Sequence, residues 1–262
     1  MKFAVRREER REALAVIQKL ASAKSHALIV HYSCESFKAS GKQAPRITSI
    51  AVRKLSSGAT HSFSIHEIAE LKKYDSGQTT ARYDEIEKEM LKRFFGFIDG
   101  HKGCEWIHWN MRDTKYGFAA IEHRYRALGG KPAEIDEDRK HDLARLLVSI
   151  YGRRYATHPR LENVIRMNRI TDQDFLTGKE EALAFERGDH YHLHKSTLRK
   201  VDVLGGIFDR VREGTLETDA KWYHTYGVSF RSMMHVIKQH PVYTLLCVAG
   251  TVGGVWQLFM KS

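Results

Sequence analysis

Apolar positions along this chain switch between a period of two and a period near 3.6. Residues 26–36, HALIVHYSCES, hold an unbroken apolar run rich in β-formers and predict a buried strand. Residues 46–55, RITSIAVRKL, alternate, Ser57-Gly58 supplies a turn, and residues 59–65, ATHSFSI, alternate again, which predicts a hairpin. After a polar stretch, residues 82–98 take up a helical period. Residues 104–109, CEWIHW, predict a short strand, and residues 113–130 a helix closed by glycines. Helical patterns follow at 141–152, 159–167 and 196–214, with a polar linker before the last. Residues 1–25 read as a charged amphipathic helix packed on the body, with Val5, Leu14, Ile17 and Leu20 partly on one face.

Three strands, a helix, a strand and then helices predict an α/β domain over 26–214, with a mixed sheet flanked by helices. The 262 residues suffice to bury a sizeable core, and no internal repeat or low-complexity linker divides them.

Residues 241–260, PVYTLLCVAGTVGGVWQLFM, carry no formal charge. A helix of about 20 residues is about 30 Å long, the thickness of a bilayer core, so this run predicts a transmembrane helix. Tyr243 and Trp256 suit its two interfaces, and residues 215–240, with Arg231 and Lys238, suit a basic amphipathic lead-in on lipid headgroups. The expectation is a single-pass C-terminal anchor with the body on the cytoplasmic side and membrane lipid as a partner. Gly250 and Gly254 offer a small-residue seam for a homodimer.

Composition adds charge to this picture. The formal net charge of +11 favours anionic partners such as nucleic acid, anionic lipid or phosphorylated ligands. Cys34, Cys104 and Cys247 are far apart and lack a CxxC spacing, which argues against a disulfide scaffold or a zinc site.

Taken in order, ALIVHYSCES, RITSIAVRKLSSGATHSFSI, WIHWNMRDTKYGFAAIEHRYRALGG, HDLARLLVSIYG and HKSTLRKVDVLGGIF resemble the strands and motif-bearing segments of the DEDD-type 3′–5′ exonucleases. These are the proofreading-exonuclease-like proteins of the ribonuclease H-like superfamily. The similarity runs from about residue 26 to 212. It implies a ribonuclease H-like fold and a site where four carboxylates hold two divalent metals.

This chain departs from that pattern. Glu35 keeps the family's glutamate, but Ser33 stands where the first aspartate belongs. Lys115 falls near the aspartate of the second motif, with Asp113 shifted by two positions. Lys195 and Lys200 fall at the histidine and aspartate of the last motif, with His194 and Asp202 displaced. Two residues along a helix is a rotation of about 200°, so Asp202 faces away from residue 200.

The expectation is therefore an exonuclease-like protein with a degenerate site, needing no cofactor and holding no metal. It would bind single-stranded DNA or RNA, or a nucleotide, through Lys115, Lys195 and Lys200, with Trp109 and Tyr116 stacking on bases. One rival is an active exonuclease using Glu35, Asp113 and Asp202 with magnesium or manganese. The other is a membrane scaffold with a vestigial cleft. Three converging carboxylates would mark the first rival, a lysine-lined cleft the binding protein, and a cleft filled by side chains the scaffold. Two further features stand outside this scheme. His190, His192 and His194 alternate and read as solvated, and Asp142 of the His141-Asp142 pair reads as a helix-start acid.

Overall fold

Strand β1 (Ala27–Cys34) is the centre of a five-stranded sheet with the order β3-β2-β1-β4-β5. β2 (Ile47–Lys54) pairs antiparallel with β1, placing Tyr32 opposite Ile50, and β3 (Thr60–Ser64) pairs antiparallel with β2. β4 (Glu105–His108) and β5 (Lys140–Asp142) continue the other side in parallel. This computed structural model describes residues 2–36, 45–113 and 116–221.

The first half of β1, Ala27 to Val30, is apolar without interruption because both of its faces are covered. Ala27 and Ile29 join one core cluster, while Leu28, Val30 and Tyr32 join the other. The first cluster is closed by α1 (Lys2–Ser22), α6 (Leu143–Tyr151), α7 (Arg160–Met167) and α9 (His190–Glu213), through residues such as Ile17, Leu147, Val164, Leu204 and Phe208. The second is closed by α2 (Ile65–Lys72), α4 (Tyr83–Asp99) and α5 (Phe118–Ala127). On α4, Ile86, Met90, Phe94 and Ile98 recur every four residues and form its buried stripe. α1 packs on α6 and α9 and gives Ala13, Ile17 and Leu20 to the core of the domain.

Several elements depart from the periodic reading. β5 is three residues long and none is apolar; tertiary pairing with β4 makes it a strand, through Ile107 opposite His141. α5 begins only at Phe118, because Arg112 bridges to Gly117 and Asp113 N–H donates to Tyr116 O at 3.1 Å. A Cβ on Gly117 would lie 2.6 Å from the Met111 carbonyl oxygen, so this close approach needs glycine. α3 (Ser76–Ala81) and α8 (Gly178–Glu186) occupy stretches that read as polar linkers. Each is started by a capping box, Asp75 with Gln78 and Thr177 with Glu180.

The membrane part of the expected fold is corrected. Among the described residues no helix is long and apolar enough to cross a membrane. The long helices there, α1 and α9, carry charges along their length, with Lys195, Arg199, Lys200, Asp202 and Asp209 on α9. The expected span at 241–260, with its Gly250–Gly254 seam, lies outside the described residues, as does 222–240 of the lead-in. Single-pass anchoring, a lipid partner and a membrane localisation accordingly have no support among the described residues. The described fold is an α/β domain with a mixed sheet flanked by helices.

Candidate functional site

Along β1 the face that holds Ile29 turns polar at His31 and Ser33, which follow it at the strand period of two. α9 lies across this end of β1 and β2 and brings Thr197 and Lys200 onto it. α8 brings Glu181. The Lys200 Nζ is 2.7 Å from Glu181 Oε1, and the Ser33 hydroxyl donates to the same oxygen at 2.8 Å. The Ser196 hydroxyl donates to it at 3.2 Å.

Ser33 Oγ is also 2.7 Å from Thr197 Oγ1. Each hydroxyl has one proton, and Thr197 Oγ1 also lies 2.8 Å from the Leu193 carbonyl oxygen, so the Thr197 proton has Leu193 and Ser33 as alternative acceptors and the Ser33 proton has Glu181 and Thr197. Glu181 sits in the first turn of α8, where the helix dipole favours a negative charge. Burial, reinforced by the positive charge of Lys200, holds the His31 imidazole well below the usual histidine range, so it is neutral at pH 7. Burial likewise pushes the Cys34 thiol up, leaving it protonated and unreactive.

Among the described residues, the predicted site residues lie in separate places. Lys200 is only 6% exposed on its side chain and is consumed by Glu181. Lys195 points elsewhere, pairing with Asp174 at 3.0 Å and lying over the Tyr191 ring. Lys115 lies outside the described residues. Asp202 is exposed and pairs with Arg53 at 3.0 Å, in keeping with the helix rotation that separates it from Lys200. Glu35 faces the β1–β2 connection, its carboxylate accepting from Arg46 N–H at 3.3 Å. Asp113 is held in the loop before α5.

The expected stacking platform is also corrected. Trp109 is a core residue, 7% exposed, among the side chains of α6 and α9. The Tyr116 ring stacks on Tyr32 at 4.6 Å, and its hydroxyl donates to Tyr32 O. Both faces of the expected grip on a base are therefore committed inside the protein.

The metal-dependent alternative meets the same geometry. Among the described residues no group of three or more His, Cys, Asp or Glu side chains could hold a metal ion. The Lys200 ammonium is buried against Glu181, and a metal ion beside that carboxylate would meet a like charge. The three alternating histidines sit on α9, where residues two apart do not share a face. His194 has both ring nitrogens engaged, Nδ1 with Ser49 at 3.0 Å and Nε2 with Glu67 at 3.5 Å, and burial lowers its pKa. Asp142 is a cap, accepting from Ala144 N–H and Asn110 N–H and pairing with Arg112.

Glu181 was not among the predicted site residues, because its segment read as a linker. The signal that finds its helix is local: Thr177-Gly-Lys-Glu180 has the spacing of a capping box. Nothing local shows that the next residue reaches Lys200. No protein-family model matches this chain, and no curated protein matches it.

Proposed function

We propose that this protein is a catalytically silent domain of the exonuclease-type, ribonuclease H-like fold, and that it works as a binding module. The observation that carries this reading is the buried Lys200–Glu181 ion pair, set at the end of β1 where the resemblance calls for metal-holding carboxylates.

The strand order β3-β2-β1-β4-β5, with β2 antiparallel to its neighbours and β4 and β5 parallel to β1, supports the resemblance. So does the position of Ser33 near the end of the central strand, facing the long last helix. The silence rests on charge. Two-metal hydrolysis needs several oxygen anions around the reacting phosphate. Here the one carboxylate at the centre is neutralised by Lys200 and by hydroxyl donors, and α8 closes over it. A buried pair with this many partners acts as a structural tie between α8, α9 and β1.

The test is a nuclease assay of the full chain on labelled single-stranded DNA and RNA with magnesium and with manganese. No cleavage above a metal-free control is expected. Metal-dependent cleavage that disappears in Glu35→Gln would overturn the reading.

A further inference from the structure

Apart from the Lys200–Glu181 centre, the domain has a concavity of which half the lining residues are arginine. It has a volume of about 1120 Å³ and lies where the first half of α1, the α6 helix and the turn after it come together. Arg6, Arg112, Arg145, Arg153, Arg154 and Arg160 line it, against Glu9 as the acid among its lining residues. Arg6 is tied to Glu9 and to the Ser149 carbonyl, and Arg112 to Asp142. Among the described residues, Arg145, Arg153, Arg154 and Arg160 have no carboxylate within 4.0 Å. Arg160 is nonetheless held in place, over the Tyr155 ring and against the Arg153 carbonyl, while its Nε–H is buried without an acceptor.

Such crowding of like charges in one hollow raises the local potential and is relieved when an anion enters. Guanidinium groups match phosphate in particular, because their planar forks donate two parallel hydrogen bonds to its oxygens. The remaining wall is made of small or neutral residues, Ala144, Val148 and Gly152 among them, which leave the hollow open to a ligand. Among the described residues no aromatic side chain lines it, so they offer no platform on which a base could stack. The recognition it offers is of clustered negative charge.

We propose that this arginine-lined cleft binds a compact, multiply charged phosphate compound, an organic polyphosphate in chemical class. This deepens the reading of the chain as a binding module by naming a ligand class and a place for it. The two are tested apart, since the nuclease assay does not involve this cleft.

The experiment is isothermal titration of the full chain with inorganic tripolyphosphate, with sulfate at matched ionic strength as the control. Tripolyphosphate should bind and sulfate should not. The double variant Arg153→Ala, Arg154→Ala should weaken binding at least tenfold, and Arg145→Glu should do the same. Both sites are exposed, so circular dichroism should show an unchanged fold. Lys131→Ala, on an exposed loop between α5 and β5, should leave binding unaltered. Absence of tripolyphosphate binding, or equal binding in wild type and the arginine variants, would overturn the proposal. A single-stranded oligonucleotide that displaces tripolyphosphate at a lower phosphate concentration would overturn it too, in favour of a phosphodiester chain.

Discussion

The Lys200 ammonium and the Glu181 carboxylate lie 2.7 Å apart beneath α8, both largely shielded from water. Desolvating two charges is expensive, and their attraction offsets this only while both are present. Removing one leaves the other buried and unpaired. Lys200→Ala or Glu181→Ala should therefore lose about 3–5 kcal/mol of stability, read by chemical denaturation. Lys200→Met combined with Glu181→Leu should recover most of that loss, because a hydrophobic pair has no charge to desolvate. Lys195→Ala should leave stability nearly unchanged, since its pair with Asp174 is on the surface and screened by water. Equal effects at Lys195 and Lys200 would contradict this division.

A second buried ion pair ties α4, α5 and β2 together. Arg124 donates to Glu87 at 2.6 Å and to Asp84 at 2.6 Å, and Glu87 also accepts the Ile47 N–H at 2.7 Å. Burial works against the Arg124 charge, but the bonds to Glu87 and Asp84 outweigh it and raise its pKa. Arg124→Ala should cost about 3–5 kcal/mol, because Glu87 would be left charged and fully buried. Glu87→Gln, which keeps the shape, should cost less. A denaturation midpoint unchanged in Arg124→Ala would remove the pair from the set of structural ties.

Stability should fall on acidification before the carboxylates titrate. Burial lowers the His108 pKa to about 4 despite the nearby Asp142 charge, and its Nδ1 accepts the Met111 N–H at 3.1 Å. His31, His190 and His194 are lowered in the same direction by burial. An unfolded chain takes up these protons near the ordinary histidine value of about 6.5, whereas the folded chain resists until lower pH. The unfolded state thus binds more protons in this window. The His108 contribution is full above about pH 6.5 and is lost as pH falls towards about 4. It amounts to about 3 kcal/mol on the order-of-magnitude scale of about 1.4 kcal/mol per unit. Thermal midpoints measured at pH 7.5 and at pH 5 should show a clear drop, and a midpoint that rises on acidification would contradict it.

α8 should be the helix most sensitive to its cap. Thr177 accepts from Glu180 N–H at 3.3 Å, and Glu180 returns a bond to Thr177 N–H at 2.8 Å. The helix has no buried residue of its own, so little packing compensates for a lost cap. Thr177→Ala should cost about 1 kcal/mol and speed amide exchange over 178–186 selectively. Uniform protection across α8 and α9 in the variant would show that the Glu181–Lys200 tie alone holds α8 down.

The features that could be read along the chain are those written locally and repeated. The apolar run of β1, the alternation in β2 and β3, and the four-residue recurrence on α4 each carry their own period, and the observed elements follow them. The mixed sheet flanked by helices follows from their order, and Asp142 read as a helix-start acid, whereas the cap at Thr177 lay in a stretch that read as a linker. Tertiary structure alone decided the rest. β5 is a strand only because β4 lends it a partner, and Trp109 is core only because α6 and α9 cover it. Ser33, Glu181 and Lys200 are far apart along the chain and share no period, so their meeting depends on how α8 and α9 seat on β1. The same holds for the arginine cleft, where Arg6, Arg112 and Arg145–Arg160 come from three regions of the chain. A period reports what one element does with its own neighbours. Which charges end up paired, buried or left facing an open hollow is set by long-range packing, and that has no local signature.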